Sequence, residues 1–133
     1  GDGAVWIDAA HNPGGAATLA AAIRSSRQVG ERVAVVFAAQ AVKDIEGVLA
    51  ELASVADEII VCPLTDSGGQ EGGPGADPNH VAGIARTLGA SAKVAPSLEE
   101  AVAAGLSRAQ GLYICGSVYL CGAALAANGE RVE

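Results

Sequence analysis

Five short apolar runs alternate with helical patterns along this chain, and that alternation constrains the fold more than any other feature. The runs are continuously apolar, as expected of parallel strands covered by helices on both faces. They lie at Ala4–Asp8, Arg32–Ala38, Glu58–Pro63, Ala92–Ala95 and Gly111–Cys115. The order predicts one α/β domain over residues 1–133. We expect a Rossmann-like, three-layer domain with a mainly parallel sheet of about five or six strands and helices on both faces.

Helices are predicted between these runs from periodic apolar stripes and from capping residues. Stripes at helical spacing occur twice, at Ile45, Val48, Leu49 and Leu52 and at Val81, Ile84, Ala85 and Leu88. Asp77-Pro78 predicts a helix start, and Ser97 with Glu100 predicts a capping box. Gly30 and Gly89 are predicted to end helices. A last helix is expected from about Ser117 to Ala127.

Composition limits the classes of function. Half of the residues are apolar and the net charge is −7, which argues against nucleic acid as a partner. No apolar run reaches the roughly 20 residues that span a membrane. We expect the three cysteines, Cys62, Cys115 and Cys121, to be buried, reduced thiols and the protein to be cytoplasmic. The chain contains no Met, and we expect it to be a segment of a longer polypeptide.

A polar turn, Asp8-Ala9-Ala10-His11-Asn12-Pro13-Gly14-Gly15, follows the first predicted strand. Asn12 suits the helix cap, and Pro13 suits the first helical position. Asp8 and His11 would then lie at the carboxyl end of a strand, where ligands bind in open α/β sheets. Asp8 can accept hydrogen bonds from ribose hydroxyls, or else cap the helix. His11 can face a phosphate or a carboxylate, or else bond to a neighbouring carbonyl.

Three other segments are expected at the same edge of the sheet. Gly116-Ser117 follows the fifth strand and forms either an anion site or a plain helix cap. Lys43 can reach a phosphate or remain solvated in a first helical turn, where Asp44 complements the helix dipole. The Gly-rich stretch from Thr65 to Ala76 is a surface loop or a lid. His80 is expected to be exposed in a loop or a first helical turn.

Several common catalytic motifs are missing from the sequence. It has no G-x-x-x-x-G-K-[ST] phosphate loop and no G-x-G-x-x-G fingerprint after a strand. A nucleophile elbow of the G-x-S-x-G type is also absent. The cysteines and histidines are too widely spaced to predict a metal site. We therefore predict no metal ligands on this chain.

Three blocks resemble the C-terminal domain of the folylpolyglutamate synthase and dihydrofolate synthase branch of the Mur ligase superfamily. They are Asp8–Pro13, Lys43-Asp44-Ile45 and Gly116-Ser117-Val118-Tyr119-Leu120. The resemblance covers essentially the whole chain and is most specific in the last block. Two departures are visible: Ala9 stands where Gly is usual, and the stretch before Lys43 lacks an acid often found there.

The resemblance implies an ATP-dependent amide ligase that adds L-glutamate to dihydropteroate or a folate through an acyl phosphate. An N-terminal ATPase domain would be the partner of this chain and would supply the phosphate loop and the Mg²⁺ ligands. By resemblance, His11 and Ser117 are assigned to catalysis at the glutamate cleft. Asp8, Asn12 and Lys43 are assigned to ATP binding, with Asp8 at the ribose. The chain alone would be inactive, and a monomer is expected.

Other hypotheses remain open at this point. The chain resembles, less closely, the C-terminal domain of a peptidoglycan Mur ligase, whose first block usually reads Asp-Tyr-Ala-His. It could also be a freestanding nucleotide-binding module without chemistry of its own. A receiver- or flavodoxin-like signalling domain is disfavoured because the third strand ends in Val61-Cys62-Pro63, without an acid until Asp66.

Overall fold

The computed structural model describes residues 4–7, 12–40, 44–64 and 75–116. The strands are β1 (Ala4–Ile7), β2 (Val33–Phe37), β3 (Glu58–Val61), β4 (Ala92–Val94) and β5 (Gly111–Cys115). The helices of the described ranges are α1 (Pro13–Ser26), α2 (Ile45–Ala53), α3 (Pro78–Thr87) and α4 (Leu98–Leu106). All five predicted strands are confirmed, with ends that differ from the prediction by at most two residues. The expected helix over Ser117–Ala127 lies outside the described residues.

The strands form one parallel sheet in the order β1-β5-β2-β3-β4. The last strand in the chain therefore lies between the first two, where it pairs with β1 on one side and β2 on the other. Because every strand runs in the same direction, all of them end at one edge of the sheet, called the carboxyl edge here. They begin at the opposite edge, called the amino edge.

Helices cover both faces of the sheet, as the apolar runs predict. One core cluster joins α1, α2 and α3 to the face that carries Val33, Val35 and Phe37. The other joins α4 to the face that carries Ala34, Val36 and Ala38. Since successive residues of a strand point to opposite faces, a strand buried on both sides must be apolar throughout. All five residues of β2 are buried.

The predicted helix starts are confirmed, and one of the two predicted helix ends is wrong. The Asp77 side chain accepts from the Asn79 amide at 3.0 Å, and the Ser97 hydroxyl accepts from the Glu100 amide at 3.2 Å. Gly89, with φ of +93°, directly follows Leu88, the C-cap residue of α3, as predicted. Gly30 does not end α1, because the cap is Arg27. The Arg27 guanidinium donates to the Glu31 and Val55 carbonyls and to the Asp57 carboxylate, and Gly30, with φ of +84°, lies in the turn that follows.

No helix among the described residues has the length and apolar character that a membrane span requires.

Candidate functional site at the carboxyl edge

The three segments that the sequence assigns to a ligand site emerge next to one another. Ile7 at the end of β1 is in register with Ile114 of β5, and Phe37 at the end of β2 is in register with Cys115. The polar turn follows β1, the Lys43 block follows β2, and Gly116-Ser117 follows β5. The described strand ends therefore bring the starting points of all three segments together at the carboxyl edge.

Most of the predicted site residues lie outside the described residues: Asp8, His11, Lys43 and Ser117. Asn12 is described, and it caps α1. Its side-chain oxygen accepts a hydrogen bond from the Gly15 amide at 2.7 Å, and Pro13 occupies the first helical turn. The prediction that Asn12, rather than Asp8, is the helix cap is confirmed. The role of Asn12 in ATP binding stays a prediction. Since its side-chain oxygen caps the helix, its side-chain NH2 group would be the donor to ATP.

Gly116 closes the gap between the ends of β5 and β2. Its φ is +111°, a conformation that residues with a side chain rarely adopt. A Cβ at this position would lie 2.3 Å from the Ala38 carbonyl oxygen and 2.8 Å from the Phe37 ring. Only glycine allows this approach, so Gly116 determines where the chain enters the segment that begins with Ser117.

The N-termini of α1 and α2 meet at the same edge. Asp44 caps α2 by accepting from the Gly47 amide at 3.0 Å. A Cβ on Gly47 would lie 2.8 Å from Pro13 Cγ, so the first turns of the two helices are in direct contact. Two helix N-termini side by side provide a positive dipole field and free amide groups, which favour an anionic ligand.

The base of the Gly-rich stretch also lies at this edge. Gln40 pairs with Gly75 in an antiparallel bridge, and the Ala76 amide donates to the Ala39 carbonyl at 2.8 Å. A Cβ on Gly75 would lie 3.0 Å from Leu64 Cβ, so the two residues that flank the stretch approach each other closely. Leu64 and Gly75, the described residues on either side of the gap, therefore lie together at this edge. Residues 65–74 themselves lie outside the described residues.

An open cavity of about 440 Å³ lies between the first turns of α2 and α3. Acidic and apolar residues line most of it: Asp44, Ile45, Glu46, Ala76, Asp77, His80 and Ile84. His80 is exposed in the first turn of α3, as predicted. Asp44 and Asp77 are both engaged as helix caps. Within the described ranges, no group of three or more His, Cys, Asp or Glu side chains is placed to hold a metal ion.

Two of the three cysteines are described, and both are buried free thiols, as predicted. Cys62 directly follows β3, and burial raises the pKa of its thiol to about 11. A thiol with such a pKa stays protonated near neutral pH and is a poor nucleophile. Cys62 is therefore part of the core and not of the site. Cys121 lies outside the described residues.

Sequence reasoning missed one residue of this edge, Gly47. Its signal was present, because glycine in the first turn of a predicted helix is unfavourable by roughly 0.5–1 kcal/mol relative to alanine. The periodic stripe of α2 identifies only the apolar face of the helix, and Gly47 is not part of that stripe. The structure shows why this position has no side chain: a Cβ would meet both the Asp44 cap, at 2.7 Å, and Pro13 of α1, at 2.8 Å.

Comparisons with known proteins agree on the family. The family model described as "Mur ligase, glutamate ligase domain" matches residues 1–123. Among solved structures, Mycobacterium tuberculosis folylpolyglutamate synthase complexed with ADP and AMPPCP is 27% identical, with a TM-score of 0.82 over 97% of this chain. Escherichia coli FolC in complex with DHPP and ADP is 28% identical, with a TM-score of 0.79 over 94% of this chain.

A third similar structure is bifunctional folylpolyglutamate synthase/dihydrofolate synthase from Yersinia pestis, with Mn, AMPPNP and L-glutamate bound. It is 29% identical, with a TM-score of 0.70 over 92% of this chain. The chain spans only 28–30% of the length of these three structures. No curated protein matches it. The parallel sheet, the polar carboxyl edge and the match over most of its length show that this chain belongs to the Mur ligase family, as a glutamate ligase domain whose structural neighbours are folylpolyglutamate and dihydrofolate synthases.

Proposed function

We propose that this chain is the C-terminal domain of an ATP-dependent ligase that adds L-glutamate to dihydropteroate or a folate. The observation that carries the proposal is the convergence of three motif-bearing segments at the carboxyl edge, through the pairing of β1, β5 and β2. Its folylpolyglutamate synthase neighbours are described with ADP, AMPPNP, Mn and L-glutamate. The anionic groups among these ligands, the nucleotide phosphates and the glutamate carboxylates, would suit an edge that is rich in helix N-termini.

In this proposal the chain works joined to an N-terminal ATPase domain. When bound, ATP supplies the phosphoryl group that activates the substrate carboxylate. By resemblance to the family, the Mg²⁺ ligands are assigned to that partner domain. The paired N-termini of α1 and α2 fit the negative charge of a nucleotide, because their amides and dipoles favour anions.

The residues of this chain have separate roles in the proposal. Asp8 holds the ribose of ATP, and Lys43 neutralises phosphate charge. His11 and Ser117 hold L-glutamate with its amine directed at the activated carboxyl carbon. Positioning of this kind converts a bimolecular attack into an effectively unimolecular one. Amide formation releases phosphate and the proton of the attacking amine.

Phosphate release by the full-length protein tests the proposal. With ATP, L-glutamate and either dihydropteroate or tetrahydrofolate, we expect release that depends on all three substrates. Asp8→Asn and His11→Ala should each reduce it by at least tenfold, on the order of 1.4 kcal/mol in the transition state. His80→Ala is the comparison variant, because His80 is the other histidine of the chain, is exposed on α3 beside the cavity and has no assigned role in the proposal.

Assays with other substrates distinguish a folate ligase from a peptidoglycan ligase. A UDP-linked peptide precursor that stimulates release in place of a folate would assign the protein to the peptidoglycan branch. No stimulation by either substrate would contradict ligation. The chain of 133 residues alone should release no phosphate under any of these conditions, because it lacks a phosphate loop.

Asn12 needs its own pair of variants, because it has a structural role already. Asn12→Ser keeps a side-chain acceptor for the Gly15 amide, whereas Asn12→Ala removes it. If Asn12 binds ATP, both variants raise the KM for ATP, and only Asn12→Ala lowers the free energy of unfolding, by about 1 kcal/mol. An unchanged KM in Asn12→Ser would restrict Asn12 to capping.

A further inference from the structure

Gly47 lies where the first turns of α1 and α2 approach each other. It is in the first turn of α2, and a Cβ there would lie 2.8 Å from Pro13 Cγ. The same Cβ would lie 2.7 Å from Asp44 Oδ2. Pro13 begins α1, and Asp44 caps α2. Any side chain at position 47 must therefore move one helix start away from the other or displace the cap.

The backbone of α2 does not itself require glycine at this position. Gly47 is helical, and its φ is not in the left-handed region. Glycine in a helix weakens it relative to alanine, so the local sequence preference opposes this residue. Gly83 of α3 provides the contrast, because a Cβ there would meet nothing within 4 Å. The close approach of Pro13 of α1 and of the Asp44 cap, and not backbone conformation, accounts for Gly47.

We infer that Gly47 is a positioning residue that sets the spacing between the β1–α1 and β2–α2 connections. This inference rests on the proposed function, since Asp8 belongs to the first connection and Lys43 to the second. Non-bonded carbon atoms pack at about 3.5–4.0 Å, so an alanine would open the contact by a substantial fraction of an ångström. Displacements of that size at a binding site are costly, because a misplacement of about 1 Å can reduce a rate a hundredfold.

The experiment compares three helix glycines in the full-length protein. Gly47→Ala should raise the KM for ATP roughly tenfold, with a smaller change in kcat. Gly83→Ala should leave both parameters unchanged. Gly105→Ala is the structural control, because its Cβ would lie 2.5 Å from Leu112 Cδ1, on the opposite face of the sheet. It should lower thermal stability without raising the KM for ATP.

A second substitution separates spacing from general damage. Pro13→Ala removes the Cγ atom that the new methyl group of Gly47→Ala would meet. Combining the two substitutions should therefore return the KM to the value of Pro13→Ala alone. This double variant also serves if Gly47→Ala is too unstable to assay. A KM that stays raised in the double variant would overturn the inference. So would a KM in Gly47→Ala equal to that of wild type or of Gly105→Ala.

Failure of the inference and failure of the proposed function give different results. If the wild-type protein shows no folate- and glutamate-dependent phosphate release, the proposed function is wrong. If the wild type is active and Gly47→Ala binds ATP normally, only the role of Gly47 is wrong.

Discussion

The two edges of the sheet are held together by different interactions. At the amino edge, side chains of opposite charge tie the connections to one another. All three ion pairs among the described residues lie there: Arg27–Asp57, Lys93–Glu58 and Arg108–Glu58. At the carboxyl edge, glycines allow backbone and helix ends to touch, while Asp44, Glu46 and Asp77 form no ion pair with another described residue.

The two edges therefore use their charged side chains differently. At the amino edge, oppositely charged side chains pair with one another, and Arg24 and Arg32 there also line an open cavity of about 490 Å³. Glu58 is the clearest case of such pairing, because it is buried and receives both Arg108 and Lys93. The carboxyl edge instead combines close backbone contacts, helix N-termini and side chains that remain outside ion pairs. Of these features, the helix N-termini favour an anionic ligand, because their free amide groups and dipoles present partial positive charge.

The largest expected effect tests the close contact at the carboxyl edge. Gly116→Ala should lower the free energy of unfolding by about 3 kcal/mol or more, since it adds a backbone clash to a strained φ. Gly89→Ala is the matched control, because Gly89 also has a positive φ but open space around it. Strain alone should cost about 1 kcal/mol there. If urea denaturation gives the same loss of unfolding free energy for both variants, the contact between Gly116 and Ala38 does not contribute to stability.

An intermediate effect tests the amino edge. The Arg27 guanidinium donates to the carbonyls of Glu31 and Val55, at 3.0 and 2.9 Å, and to the Asp57 carboxylate. Arg27→Ala should therefore cost about 2 kcal/mol of unfolding free energy. Arg24 lies one turn earlier in α1. Its guanidinium bonds to the Ser54 hydroxyl and to no carboxylate among the described residues. Arg24→Ala should therefore cost only about 0.5 kcal/mol of unfolding free energy. If the two variants are equally stable, the amino edge does not depend on its ion pairs.

The smallest effect concerns pH and the core beneath the carboxyl edge. Burial raises the pKa of Cys62 from 9.0 to about 11, so the folded state holds the thiol proton more tightly than the unfolded state does. Its contribution to stability is complete below pH 9 and is lost as pH rises towards 11. At pH 10 the loss is about 1 kcal/mol. The difference in unfolding free energy between wild type and Cys62→Ala should change by that amount between about pH 8 and pH 10.

A constant difference across that range would contradict the assignment of Cys62 as a buried thiol with a raised pKa. Other groups that ionise at high pH are common to both proteins and cancel in the difference.

The sequence by itself determined the strands, the helix starts and the family resemblance. Continuous apolar runs such as Val33–Phe37 have one physical solution in a small domain, which is a strand covered on both faces. Caps such as Asp77 and Ser97 act within a few residues of themselves, so local pattern is enough to identify them. The Asp8–Pro13 and Gly116-Ser117 blocks are local as well, and they indicated the ligase family.

Only the tertiary structure decided the order of the strands and the contacts that depend on it. The insertion of β5 between β1 and β2 arises from pairing over long sequence separations, which no local pattern encodes. At the end of α1, Arg27 bonds to a carboxylate 30 residues away, a partner that the local sequence does not identify. The glycines at positions 47 and 116 likewise contact neighbours distant in sequence, Pro13 in one case and Ala38 in the other, although Gly47 also meets its own helix cap, Asp44. Close packing is a property of the folded chain, because it depends on which surfaces meet.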